Sequence, residues 1–225
     1  MLEEYGVVVP AFNAADRLAA VLEGVKKHIP PDRIVVVDDG STDDTSRIAE
    51  SAGVLIVRHH ENRGKGSALK SGFDHLMKGG GLAAIFTIDA DGQHAPEEIP
   101  AFARAYRAGE GEILIGNRMK NTKGMPPLRV VVNMVTSALI SIRAGCRIED
   151  SQSGYRLIGT DVIRAVRLVT SRYETESEIL IKAARIGARI SSVPIRTIYA
   201  GEKSKIHPFA DTVRFFALVI RSFFW

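Results

Sequence analysis

The first half of the chain is a succession of short apolar blocks, each closed by polar or acidic residues: YGVVVP, RIVVVDD, VLIVRH, AAIFTID and EILIGN. The blocks are runs of Val, Ile, Leu and Phe without regular alternation, which predicts strands covered on both faces, as in a mainly parallel sheet. Between them lie stretches of helical period, the clearest being the stripe Leu18, Val21, Leu22 and Val25. The order is βαβ, and it predicts an α/β fold in which a Rossmann-like, mainly parallel sheet is flanked by helices. Asn13 is placed to cap the first helix with Asp16 at its third position, and Ser41 or Thr42 to cap the second, which should end near Gly53.

From about residue 120 the rhythm changes. The pattern predicts a Pro/Gly-marked loop (KNTKGMPP), a helix from about Leu128, an irregular stretch IEDSQSGYRL, helices near 160–168 and 174–186, and a last strand around Arg189 to Tyr199. Glu174, Glu176 and Glu178 in YETESEIL read as a solvated helix face, with the orienting of basic residues as the alternative. There is no internal repeat, so one domain with two working halves is the simplest division.

Charge separates those halves. Residues 1–112 hold 12 Lys/Arg against 18 Asp/Glu, whereas residues 113–225 hold 18 against 8, within a total net charge of +4. A positive second half predicts an anionic partner. Nucleic acid fits poorly, because aromatic residues are not interleaved with the charges as stacking platforms require. The single Cys146 excludes an internal disulfide framework and a multi-cysteine zinc site. The amino terminus opens with acids and reaches Asn13 after a short apolar stretch, without the pattern of a secretory signal, which predicts a cytoplasmic protein. The segment VRFFALVIRSFFW, too short to span a bilayer, suits an interfacial anchor, and the apolar LRVVVNMVTSALISIRAG suits a helix lying partly against lipid or a plain core helix.

In an open parallel sheet, ligands bind beyond the carboxyl ends of the strands. The polar residues collect there: Pro10, Phe12 and Asn13 after the first strand, Asp38, Asp39, Gly40 and Ser41 after the second, Asp89, Asp91 and Gln93 after the fourth, Asn117 and Arg118 after the fifth. Two carboxylates and an amide are hard oxygen ligands, so Asp89, Asp91 and Gln93 suit Mg²⁺ or Mn²⁺, with His94 a further candidate ligand. A divalent ion held by few protein groups completes its coordination with phosphate oxygens, which predicts a diphosphate substrate. ENRGKGSALKSG fails both common phosphate fingerprints, since Leu69 stands at the third glycine position and no Lys-Ser/Thr pair closes a P-loop. What remains is Arg63 and Lys65 at a glycine-rich helix start, able to offer donors and positive charge to a nucleotide.

VVVPAFN, DDGSTD, ENRGKGSAL, DADGQH, GNR, DSQSGYRL and GEKSKI, in this order, resemble the family 2 glycosyltransferases with a GT-A fold, most closely their dolichyl-phosphate mannose synthase-like, polyprenyl-phosphate branch. The match runs from about Val7 to Ile206. It departs from the branch at Gly92, where leucine is common, and at Phe12-Asn13-Ala14, where many members have tyrosine and a glutamate. The resemblance implies that Pro10, Phe12 and Asp39, with Asn13 and Asp38 in the same motifs, hold the nucleoside. It implies that Asp89, Ala90, Asp91 and Gln93, with Lys65, hold the diphosphate and its Mg²⁺ or Mn²⁺. Arg118, Arg129 and Lys205 would face the acceptor phosphate, and Asp150 and Arg118 are the candidate catalytic residues.

The implied organisation is a GT-A domain over 1–206, with 1–118 taking the nucleotide sugar and 119–206 the acceptor, followed by a membrane-interfacial segment over 207–225. The implied reaction moves a sugar from a GDP- or UDP-sugar to a polyprenyl or dolichyl phosphate with inversion, at the inner face of the plasma membrane. A hydroxyl acceptor would need a base, for which Asp150 is the candidate. A phosphomonoester has a second pKa of about 6 and is already largely ionised near neutral pH, so Asp150 would then only position its neighbours. A nucleotidyltransferase is the rival enzyme, but its glycine-rich loop after the first strand is replaced here by PAFNAAD; a non-catalytic binding module would be expected to have lost the intact aspartate pair.

Overall fold

The computed structural model describes residues 1–196, 198 and 208–225. The five apolar blocks form β1 (Tyr5–Ala11), β2 (Ile34–Asp38), β3 (Leu55–Arg58), β4 (Ala84–Thr87) and β5 (Ile113–Asn117). Their crossovers are α1 (Ala15–Lys26), α2 (Thr45–Ser51), α3 (Lys65–Gly79) and α4 (Ile99–Arg107). The later part supplies α5 (Pro127–Ala144), β6 (Arg156–Gly159), α6 (Thr160–Ala165), α7 (Glu174–Arg185), β7 (Ile190–Pro194) and α8 (Pro208–Arg221). The seven strands make one sheet in the order β3-β2-β1-β4-β6-β5-β7. All pairs are parallel except those of β6, which runs antiparallel to both β4 and β5.

Both faces of the sheet are covered, which explains the unbroken apolar runs. On one face Val7, Val9, Val36 and Phe86 pack with Leu18, Val21 and Leu22 of α1 and Ile99 and Phe102 of α4. On the other, Val8, Val35, Val37 and Ile85 pack with Leu69, Phe73 and Leu76 of α3 and Ile179 and Leu180 of α7. Gly72 marks the closest approach of α3 to the sheet: a Cβ there would overlap Val8 of β1.

Four local expectations are corrected. The stretch expected to be irregular through Leu157 instead ends in β6, inserted in the middle of the sheet. Asn13 does not cap α1. It sits at φ +47 and its Oδ1 accepts from Thr42 N at 2.9 Å, while Thr45 Oγ1 and Asp43 Oδ2 take the Ala14 and Ala15 N–H groups at 2.8 and 3.1 Å. Asp43, not Ser41 or Thr42, accepts the Thr45 N–H at the start of α2 at 3.0 Å; the helix does end near Gly53, which follows its last residue Ser51 by two and has φ +70. The glutamates of α7 are not a solvated face: Glu176 and Glu178 are buried, and Glu178 accepts from Val169 N, Thr170 N, Thr170 Oγ1 and Lys182 Nζ. The loop before α7 carries unpaired N–H groups, and a buried carboxylate satisfies them.

The carboxyl-terminal segment forms α8 and a short 3₁₀ turn. Leu218 and Ser222 are buried, Arg143 of α5 donates to Ser222 Oγ at 2.8 Å and lies 3.7 Å from the Phe223 ring centre, and Lys182 lies 4.5 Å from that of Trp225. Val213, Phe216, Ile220, Phe223 and Phe224 stay exposed.

Gly72→Ala is expected to destabilise the fold by about 1–3 kcal/mol through overpacking against Val8, read as a lower urea midpoint at unchanged m-value.

Candidate active site

The antiparallel insertion of β6 decides what faces the acidic tip. Because Thr87 of β4 pairs with Arg156 of β6, the start of β6 lies at the carboxyl end of β4, and the loop 148–155 closes over it. Thr87 Oγ1 donates to Gly154 O at 2.7 Å, and Gly154 comes so close that a Cβ there would overlap Asp89 Oδ2 and Lys65 Nζ. Arg156 fastens this loop from beneath. Its buried guanidinium donates to the carbonyls of Ser153 (2.8 Å), Ser151 (2.7 Å) and Glu176 (2.5 Å).

Asp89 receives its compensating charge from Lys65, whose Nζ is 2.6 Å from Asp89 Oδ1 and 3.1 Å from Glu176 Oε2. Burial opposes ionisation of both Lys65 and Asp89, but their mutual attraction, reinforced by Glu176 on the lysine, outweighs it: the lysine pKa is raised and the aspartate is held well below the usual carboxylate range. Asp91 Oδ1 accepts from Gln93 N at 2.9 Å across a turn with Gly92 at φ +75, and Ala90 is buried between the two acids. His94 is buried, stacks on Tyr155 at 5.2 Å and turns Nδ1 toward the Asp89 N–H at 3.3 Å. Burial pushes its pKa down to about 4, against the pull of Asp89, so it is a neutral imidazole near pH 7.

The donor set fits a hard divalent cation. Asp89, Asp91 and Gln93 offer oxygens from one turn, and an ammonium already sits against an Asp89 oxygen as a cation would. Among the described residues no group of three or more His, Cys, Asp or Glu is arranged to hold a metal. Such an ion would therefore need oxygens from its ligand.

At the ends of β1 and β2, Pro10 and Phe12 are half-buried and Asn13 is exposed. Asn13 N donates to Ser41 Oγ at 2.9 Å, latching one loop to the other. Asp38 accepts from Ser41 N at 2.9 Å and from Ser46 Oγ. Asp39 is buried and serves the protein: its oxygens take His59 Nδ1 at 2.6 Å, Arg63 N at 2.9 Å and Gly64 N at 2.8 Å. The donors at the start of α3, expected to face a nucleotide, are thus turned in part to Asp39.

Arg118, at the end of β5, is gripped by Asp150. Its Nε and Nη2 donate to Oδ2 and Oδ1 at 2.8 Å each, its N–H reaches Oδ2 at 3.0 Å, and Asn133 Nδ2 of α5 reaches Oδ1 at 2.7 Å. Burial alone would raise the Asp150 carboxyl, but these bonds and the Arg118 charge hold it below the ordinary value. Arg129, half-buried in the first turn of α5, makes no ion pair among the described residues, and Lys205 lies outside them.

Sequence reasoning missed Gly154, Arg156, Asn133 and His59, and weighed Glu176 as solvent-facing. For Asn133 a signal existed. Asn133, Ser137 and Ser141 form a polar i, i+4, i+8 stripe in an apolar helix; Asn133 donates to Asp150, while Ser137 accepts from Ser151 N and Ser141 from Ile148 N.

Residues 6–165 match the family model described as Glycosyl transferase family 2. The chain is 32% identical over 215 residues to a UDP-N-acetylglucosamine–dolichyl-phosphate N-acetylglucosaminyltransferase of Methanococcus voltae, covering 86% of this chain and 85% of that protein. It is 30% identical over 199 residues to an undecaprenyl-phosphate mannosyltransferase of Micrococcus luteus, covering 84% and 81%. Among solved structures, glucosyl-3-phosphoglycerate synthase from Mycobacterium tuberculosis, in complex with Mn²⁺, uridine diphosphate and phosphoglyceric acid, superposes with a TM-score of 0.77 at 20% identity, over 98% of this chain and 78% of that one. The fold is GT-A.

Because His94 is held near pKa 4 and an unfolded histidine titrates near 6.5, the unfolded chain binds the extra proton between those values. This contribution to stability is complete above about pH 6.5 and declines as pH falls toward 4, by on the order of 2 kcal/mol. His94→Gln, which keeps an acceptor for the Asp89 N–H, should flatten that slope in urea titrations at pH 7 and 4.5.

Proposed function

The chain belongs to glycosyl transferase family 2 and is a glycosyltransferase, and on that premise we propose that it moves a sugar from a nucleotide-diphosphate sugar to a polyprenyl or dolichyl phosphate, inverting the anomeric centre. The observation that carries the choice of acceptor is the state of Asp150. Its oxygens accept four hydrogen bonds from Arg118 and Asn133 and its basicity is lowered. It is therefore a poor general base for a hydroxyl acceptor and a good anchor for a guanidinium. An acceptor phosphate arrives already ionised and needs no such base. The relatives named above for dolichyl- and undecaprenyl-phosphate acceptors support the same reading.

In this mechanism residues 1–118 take the donor, with Pro10, Phe12 and Asn13 around the nucleoside and Asp38 and Asp39 shaping the loops that hold it. Asp89, Asp91 and Gln93 would hold Mg²⁺ or Mn²⁺, in keeping with the Mn²⁺ and uridine diphosphate of the structural neighbour. When bound, such an ion supplies positive charge where the departing diphosphate becomes more negative. Residues 119–206 take the acceptor. Arg118, kept in one orientation by Asp150, fixes its phosphate together with Arg129 and Lys205, so that attack comes from the face opposite the leaving group.

A lipid acceptor also accounts for α5. This helix turns Asn133 and Ser137 inward and leaves Leu128, Val131, Val132, Met134, Val135 and Ile142 exposed, the reverse of an ordinary surface helix. By length and composition it could cross a membrane, but its polar stripe is fastened to loop 148–151, so it lies along the domain. With the exposed aromatics of α8 and its 3₁₀ turn it forms a surface suited to the cytoplasmic face of a bilayer.

The test is to incubate protein and Mn²⁺ or Mg²⁺ with UDP- and GDP-sugars, with and without short polyprenyl phosphates, and follow nucleotide diphosphate release and glycosyl-lipid. Asp91→Ala should abolish turnover; normal turnover would remove the cation from the mechanism. Arg129→Ala should raise the KM for polyprenyl phosphate about tenfold or more with little change in the KM for the donor.

A further inference from the structure

Lys65 lies between two carboxylates that its charge cannot neutralise together. Its Nζ is 2.6 Å from Asp89 Oδ1 and 3.1 Å from Glu176 Oε2. Glu176 is buried to more than nine-tenths, and its other oxygen, Oε1, is buried and accepts no hydrogen bond among the described residues. Glu176 is itself immobilised, because Arg156 holds its backbone carbonyl at 2.5 Å and α7 continues from it. A buried carboxylate oxygen without a donor is unfavourable, so its retention asks for a role.

We propose that Lys65 is an exchangeable counter-ion: it neutralises Asp89 until a divalent cation engages the acidic tip, then transfers its ammonium fully to Glu176. This deepens the reading that Asp89 and Asp91 hold such a cation, and rests on it. Electrostatics favours the exchange. A divalent ion on Asp89 competes with the ammonium for the same oxygen and repels it, and Glu176, already 3.1 Å from Nζ, is the carboxylate placed to receive it. An ammonium on a four-carbon stem suits the movement, since it is a compact charge with three donors and no fixed plane. Gly154 leaves the ammonium room, as a Cβ there would overlap both Lys65 Nζ and Asp89 Oδ2. Glu176 is thus a positioning residue: it acts on the cation through Lys65.

A double-mutant cycle on Mn²⁺ binding tests this without reference to turnover. Mn²⁺ alone is titrated into wild type, Glu176→Gln, Lys65→Met and the double variant, with free Mn²⁺ read by electron paramagnetic resonance. Glu176→Gln should weaken binding about tenfold, because the displaced ammonium loses its charged acceptor and stays on Asp89. In the Lys65→Met background the same substitution should change binding less than about threefold. An equal loss in both backgrounds, or no loss in either, overturns the exchange while leaving the cation site standing. A wild-type protein that takes up no Mn²⁺ overturns the cation reading and the exchange with it. Should a Lys65 or Glu176 variant not fold, a crystal of wild type soaked in Mn²⁺ decides: Lys65 Nζ moved off Asp89 onto Glu176 supports the proposal, and Nζ still on Asp89 beside the ion refutes it.

Discussion

Three carboxylates, Asp39, Asp89 and Asp150, end buried or nearly so at one edge of the sheet, and the structure there depends on matching each with donors. Water reaches Asp39 and Asp150 scarcely and Asp89 only in part, and an unmatched buried charge would be shifted to its neutral form or destabilise the fold. The three solutions differ. Asp39 is satisfied by backbone N–H groups and His59, Asp89 by an ammonium, and Asp150 by a guanidinium and an amide. Because the donors come from α3, β5 and α5, satisfying the charges also fixes those elements relative to the strand ends. Electrostatics and loop placement are one problem here.

That coupling explains what the sequence could and could not reveal. The strands were legible because burial on both faces leaves runs such as IVVVD and ILIGN, and α1 because its stripe of Leu18, Val21, Leu22 and Val25 needed only periodicity. β6 was not legible: RLIG is four residues, headed by an arginine that ordinarily argues against a central strand, and only the three carbonyls around Arg156 make it tolerable. The helix starts were misassigned since the donors of α1 are met by Thr45 and Asp43, about thirty residues away, and local capping rules see only neighbours. In the site, the tip Asp89 to Gln93 stood out because acids rarely end a buried strand. Glu176 did not, since an acid on a helix looks the same whether it faces water or a lysine.

Helix α5 shows the same logic turned inside out. Its amide and hydroxyls are drawn inward by Asp150 and the backbone of loop 148–151, which forces the aliphatic side chains to the opposite face. The exposed apolar band is therefore the geometric counterpart of the polar stripe that secures Arg118. The grip on Asp150, and through it on Arg118, and the exposed aliphatic surface are thus opposite faces of one helix.

The strand order carries a consequence for how the molecule comes into being on the ribosome. β4 and β5 emerge early yet never touch as partners; each waits for β6, which is synthesised some forty to seventy residues later and slots between them. Until it arrives, the edge of β4 is open and β5 has no place to dock, so contacts distant along the chain must close before the sheet is whole. The acidic tip gains its neighbour Gly154, in the loop that leads into β6, only when that strand is in place. The sheet of this chain is thus closed by a strand of four residues that arrives after both of its partners.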